Sequence, residues 1–295
     1  MKYLIPLALS VALFLLAFSC EDPIDVPSQF EEPSLVIDAW LTNTNTPQTI
    51  TLTETVDYFA GGQPRGVAGA VITVCKNETD DCFSFTDEGG GSYVWRPIAD
   101  ETLGEVGDNF TLSMNLDGET YTGAADLART ARLDSISITF EEESLFMDEG
   151  LYAELFAFDL LGQGDSYLIR TFKNDSLLNR PEETIIVYDA TFDRGNDLDG
   201  TYFIPPIRSS INPVDDDGLQ TPYNNGDRVY VEVHSISEVA YDFLSIAIEQ
   251  ITNTGLFATP VANSPSNVFN TTTNESILGI FNVAEVASIE TLVEE

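Results

Sequence analysis

Gly226-Asp-Arg-Val-Tyr-Val-Glu-Val-His-Ser-Ile-Ser-Glu-Val-Ala-Tyr-Asp-Phe-Leu244 changes its hydrophobic period in mid-course. Residues 227–234 alternate Val229, Val231 and Val233 with polar neighbours, the period of two of a half-buried strand. From Ser237 the period lengthens. Ala240, Phe243, Leu244, Ala247, Ile248 and Ile251 fall at i, i+3, i+4, i+7, i+8 and i+11, one apolar stripe of a helix over 237–252. Ser235 and Glu238 have capping-box spacing at its start, and Asn253 and Gly255 stop it. A helix of this length is marginal alone in water, so the stripe is expected to bury against a sheet. The adjacent strand 229–233 is the expected partner, with Phe243 deep in the contact.

No other segment carries a convincing helical period, so the fold class is mainly β, in two β-rich domains. Between residues 34 and 131 short strands recur with turn signals between them: Ser34 to Leu41, Pro47 to Thr55, Val67 to Val74, Phe83 to Phe85, Tyr93 to Trp95, and a hairpin around Asp117-Gly118. That spacing suggests an immunoglobulin-like sandwich of about seven strands. Residues 132–295 read as a second β-sheet domain with one packed helix, closed by strands over 276–282 and 287–293.

Twelve Lys+Arg against 49 Asp+Glu give a formal net charge of −37. So negative a surface repels phosphate backbones, which excludes nucleic acid as a partner. Residues 1–19 carry one lysine and a 15-residue apolar run, Leu4 to Phe18, too short for a comfortable membrane span of about 20 residues. Ala17-Phe18-Ser19-Cys20 ends that run as a lipoprotein signal peptide ends, with lipid expected on Cys20. A secretory signal with a coincidental cysteine, or an uncleaved anchor, are the alternatives. Residues 20–33 are acidic, hold three prolines and form an extended tether.

Cys75 and Cys82 flank a polar turn, and with Cys20 lipidated they make an even pair, so a disulfide is expected. Asp197 and Asp199, in Asp193-Arg-Gly-Asn-Asp-Leu-Asp-Gly200, are weak calcium candidates, since calcium wants six to eight oxygens. The competing and favoured reading is a solvated turn, because Asp and Gly are ordinary turn residues and the loop lacks EF-hand spacing. Otherwise no cofactor is expected. Trp40 and Trp95 suit either a planar ligand such as a sugar or, as expected, the core. His234, the single histidine, ends a strand and reads as a surface or satisfied polar group. HExxH, GxSxG, P-loop and GxGxxG patterns are absent, and no catalysis is expected.

Taken with Leu35-Val-Ile-Asp-Ala-Trp-Leu-Thr42, Val67-Ala-Gly-Ala-Val-Ile-Thr-Val74, Asp197-Leu-Asp-Gly-Thr-Tyr202, Pro265-Ser-Asn-Val268 and Gly279-Ile-Phe281, the opening segment resembles a Bacteroidota lipoprotein family. That family is known as the domain of unknown function numbered four-two-four-nine. Its members are generally encoded beside TonB-dependent receptors. The resemblance implies an outer-membrane accessory to uptake, at the cell surface or periplasmic face, with a TonB-dependent receptor as partner. It carries over no catalytic residue. A structural or adhesive surface protein and a carboxylate-dependent hydrolase are the rival readings. Glu21-Asp22 resembles the acidic export tags of surface lipoproteins in that phylum, or is simply a solvated linker. Asp175-Ser176-Leu177 and Asp134-Ser135-Ile136 resemble its O-glycosylation motif. Ser176, in a polar turn, is the better acceptor; Ser135 sits in an expected strand.

Overall fold

Alternation decides the inside of the first sheet. In β1 (Leu35–Thr42) Ile37, Ala39 and Leu41 are fully buried, and in β2 (Gln48–Glu54) so are Ile50 and Leu52. A computed structural model describes residues 33–56, 62–79, 81–144, 147–195, 198–252 and 263–294. Pro33–Glu295 cluster as one unit. The signal segment, the tether and Cys20 lie outside the described residues, as does Asp197.

The first sheet continues through β3 (Arg65–Gly66), β4 (Val71–Lys76), β5 (Cys82–Gly89), β6 (Ser92–Trp95), β7 (Asn109–Leu116) and β8 (Glu119–Ala128). Its inner face packs Tyr93, Phe110, Leu112, Met114 and Leu127 into one core with the inner residues of β1 and β2. Cys75 lies directly opposite Cys82 in the β4–β5 ladder, and the two form a disulfide with an S–S distance of 2.01 Å. Closing so short a loop contributes about 2–3 kcal/mol on chain-entropy grounds.

The strands expected to close the second domain divide between the sheets. β15 (Val268–Asn270) pairs with β8, and β16 (Leu278–Ala284) runs parallel to β1 from Val36↔Leu278 to Thr42↔Ala284. Val283 and Ala284 also meet Leu127 and Ala128 of β8. The order β1-β16-β8-β7-β4-β5-β6-β2 returns to β1, so the sheet is a closed eight-stranded barrel rather than two separate layers. The expected 34–131 domain therefore leaves out strands of the first core, to which Val268, Phe281 and Val283 belong. A parallel pair needs a long crossover, and for β8 and β16 the chain between Ala128 and Leu278 supplies it.

That second sheet comprises β11 (Ser166–Lys173), β12 (Ser176–Leu177), β13 (Ile185–Tyr188), β14 (Arg228–Ser235) and β17 (Val286–Leu292). Its inner face, with Tyr167, Ile169, Val229, Val231 and Val233, shares a core with Ala153, Leu155 and Ala157 from the hairpin of β9 (Arg132–Glu141) and β10 (Gly150–Phe158).

Helix α1 (Glu238–Thr252) lies against the outer face instead. The expected partner, Val229–Val233, faces the opposite core. Ala240 and Tyr241 pack with Ile236 and Ile280, flanked by Leu168, Ile186, Tyr188, Trp40, Phe243 and Leu244. The cap also differs from expectation. Ser237 Oγ accepts the Ala240 N–H at 3.2 Å, while Ser235 Oγ accepts the N–H of Glu285 at 2.8 Å. Asn282, fully buried, accepts the Ser237 N–H and so ties β16 to the helix start. Only the first turn is sealed: Phe243 is half-buried and Ile251 is 60% exposed. Phe243→Ala is thus expected to lower the unfolding free energy by about 1–2 kcal/mol, below the roughly 3–5 kcal/mol of a fully buried phenylalanine. Ile251→Ala should change it by less than about 0.5 kcal/mol. Urea midpoints check both, and a Phe243→Ala loss above about 3 kcal/mol would mean that the stripe is covered.

Candidate functional site

The period of two that buries Ile37, Ala39 and Leu41 sends Asp38, Trp40 and Thr42 to the outside of the barrel. Thr49 and Thr51 leave β2 on the same side, with Asp38 opposite Thr51 in the ladder. They meet the outer face of the second sheet, where Leu168 stands opposite His234 and Arg170 opposite Glu232. Thr184 and, from α1, Leu244 complete a groove of about 410 Å³. An adjoining hollow of about 280 Å³ shares Trp40, Thr42, Thr49, Arg170 and His234, and adds Thr44, Thr46 and Glu232. Both walls are strands, so the side chains are held on a rigid frame.

The polar groups of this groove fall into two kinds. Some are already engaged. His234 Nε2 lies 2.9 Å from Glu232 Oε2, and the Tyr230 hydroxyl donates to Glu232 Oε1 at 3.1 Å. The His234 hydrogen bond comes first among the influences that hold the Glu232 carboxyl below its ordinary range; burial opposes it. At the mouth, Thr42, Thr44 and Thr46 form a hydroxyl ladder with steps of 2.7 and 2.8 Å, pinned by Gln48. Others are unspent. The Arg170 guanidinium stands 3.8 Å from Glu232 Oε2, and it makes no hydrogen bond to the described residues. Neither do the Asp38 carboxylate or the Thr49 and Thr51 hydroxyls. Asp38 is open to solvent by area, yet the concave wall surrounds it with protein, and that desolvation raises its pKa. The groove thus offers free donors and free acceptors around an indole.

A second polar cluster lies beneath the loops of the second sheet. Carboxylate oxygens of Asp159, Asp165 and Asp189 come within 4.8 Å of one another. Their spare charge is met from within the chain. Arg129 Nη2 donates to Asp165 Oδ2 at 2.5 Å and to the carbonyls of Leu160, Leu161 and Gly162 at 3.0–3.2 Å, so a guanidinium fills the position of a cation. Asp159 accepts from the Tyr167 hydroxyl at 2.6 Å and from the Gly200 N–H at 3.1 Å. Asp189 Oδ1 accepts from the N–H groups of Gly164 and Asp165. Asp199, the described member of the calcium pair, borders this cluster, but its Oδ1 accepts from the N–H of Gly162 at 2.8 Å. These are the hydrogen bonds of an ordered turn.

The tryptophans part company. Trp95 is 8% exposed and packs edge-on against Phe83 in the barrel core, as expected. Trp40 lines the groove instead and tilts towards Phe243 at 6.5 Å. Its position was readable, because it shares parity with Asp38 rather than with Ile37. His234 is satisfied by Glu232, as expected, but it also faces the groove. Arg170 and Asp38 were missed, since nothing local marks one charged residue on the outer face of a strand. Ser176 is exposed beside the Asn174–Asp175 turn, where both residues have positive φ. Ser135 is exposed on β9, opposite Phe156.

No curated protein matches this sequence. Among solved structures, the crystal structure of chicken CNTN1 FN1-FN3 domains matches at 12% identity with a TM-score of 0.25, over 70% of this chain. The match spans 60% of that chain. A family model described as domain of unknown function (DUF4249) matches residues 21–290, and the chain belongs to that family.

Proposed function

We propose that this chain is a non-catalytic, ligand-binding accessory of the outer membrane, anchored by lipid on Cys20 and assisting a TonB-dependent receptor in uptake. The observation that carries the binding part is the groove, lined by Trp40, Arg170 and Asp38, the last two without a hydrogen bond to the described residues. Its volume falls within the range of about 300–1,000 Å³ common for small-ligand sites. The anchor rests on the apolar run before Cys20, and the receptor rests on family resemblance. In this reading the barrel and the helix-bearing sheet each give one wall of the groove.

Two measurements on native membranes test it. A fatty-acid label should appear on the wild-type protein and vanish in Cys20→Ala. Affinity purification should bring down an outer-membrane β-barrel receptor. A labelled Cys20→Ala protein overturns the anchor. Recovery of the protein alone, under conditions that keep such barrels soluble, favours the adhesive or structural reading.

A further inference from the structure

We infer, resting on the reading of the groove as a ligand site, that its ligand is a neutral sugar seated on Trp40 and hydrogen-bonded by Arg170, Asp38 and the threonines of β2. The charge pattern comes first. Arg170 has Glu232 at 3.8 Å, so the guanidinium of the groove already has a carboxylate nearby. An anionic ligand would find no uncompensated positive charge here, on a chain of net charge −37. Nor is the groove suited to a purely apolar ligand. Covering Arg170, Asp38, Thr49 and Thr51 without bonding them would leave their donors and acceptors desolvated and unpaired.

A polyol answers both conditions. Each sugar hydroxyl donates one hydrogen bond and accepts others, so it pairs equally with a guanidinium, a carboxylate or a threonine hydroxyl. The planar forks of Arg170 and Asp38 present two atoms at a time, which matches neighbouring hydroxyls on a ring. The C–H face of a pyranose is apolar, and Trp40, Leu168 and Leu244 supply an apolar floor beside those forks. Rigid strands fix all of these groups, so little ordering is lost on binding.

The chain has two tryptophans, and Trp95 is buried in the barrel core, so a ligand-induced change in fluorescence reports chiefly on Trp40. The full-length protein in detergent would be titrated with three sets of probes: neutral trisaccharides (maltotriose, cellotriose, xylotriose, mannotriose), trigalacturonic acid, and zwitterionic dipeptides of apolar residues. A saturable change with at least one neutral trisaccharide is expected. Trp40→Ala, followed by calorimetry, should weaken that binding at least about tenfold. Trp40→Phe should weaken it less, which separates loss of stacking from loss of fold. Arg170→Lys keeps the charge but removes the fork, and should weaken the sugar several-fold with an unchanged melting temperature.

Saturable binding of the acidic or zwitterionic probes alone, tolerant of Arg170→Lys, would overturn the sugar and leave the groove standing as a site. Sugar binding unmoved by Trp40→Ala and Arg170→Lys would place it elsewhere and overturn the inference. No response to any of the three sets would remove both the sugar and the small-ligand reading of the groove.

Discussion

Gly279→Ala is expected to lower the unfolding free energy by roughly 3–5 kcal/mol, the strain of about 1–3 kcal/mol for a non-glycine residue there adding to an overpacking loss of similar size. Gly279, second residue of β16, has φ +95, a region that side-chain-bearing residues rarely adopt. Its ladder partner is Ile37, and a Cβ would fall on the backbone carbonyl of that residue, which cannot move aside as a side-chain end can. The strands would have to separate where β16 joins the barrel to itself. Gly226→Ala is the control. That glycine also has positive φ, at +90, but open space surrounds its Cβ position, so the control isolates the strain alone. Urea unfolding of the two variants reads the difference. Equal losses would mean that the β1–β16 contact yields without penalty, and that closure of the barrel contributes little.

That same strand shows where reading the sequence stops. Leu278–Ala284 is buried on both faces from Ile280 onward, because Phe281 and Val283 enter the barrel core while Ile280 and Asn282 face the helix start. A strand covered on both sides loses its alternation, and its residues do not say which sheet it joins. Where one face stays wet, the reading succeeds: Ile50 and Leu52 in β2, and Val229, Val231 and Val233 in β14, are all buried as the period of two requires. The helix was legible in extent to within a residue, but not in its partner, since a stripe states that something covers it and not what. The groove was the least legible part. Asp38, Trp40, Arg170 and His234 lie on three strands from distant parts of the chain, and they meet only because β16 carries the chain back beside β1.

Asp159→Ala is expected to lower stability near neutral pH by roughly 2–5 kcal/mol, since each buried donor left without a partner costs about 1–3 kcal/mol. Two donors lose their acceptor, the fully buried Tyr167 hydroxyl and the N–H of Gly200. Burial holds the Tyr167 phenol far above its ordinary pKa, the adjoining carboxylate adding to the effect, so that hydroxyl stays a donor at every working pH. The Asp159 carboxyl is itself shifted upward. Desolvation is the main cause, the hydrogen bonds from Tyr167 and Gly200 pull against it, and the charges of Asp165 and Asp189 push the same way as burial. The sign of the pH dependence follows. Between the unfolded and the raised folded pKa the native state binds more protons, so this group's stabilising contribution is full below that window and is lost as pH rises through the folded value. Glu232 has the opposite sign: its folded pKa is depressed, so its contribution is lost on acidification below the ordinary carboxylate range. Asp159→Asn, which cannot ionise and keeps an oxygen for Tyr167, removes only the first of these slopes. Urea midpoints of wild type and Asp159→Asn, followed from about pH 4 to 7 across the carboxylate range, should therefore diverge as the pH rises, with the wild type falling relative to the variant. The self-repulsion of so acidic a chain is nearly common to both proteins and largely cancels in the comparison. Parallel curves would show that Asp159 ionises as freely in the fold as out of it, and that its burial beneath the 160–165 loop imposes no electrostatic strain.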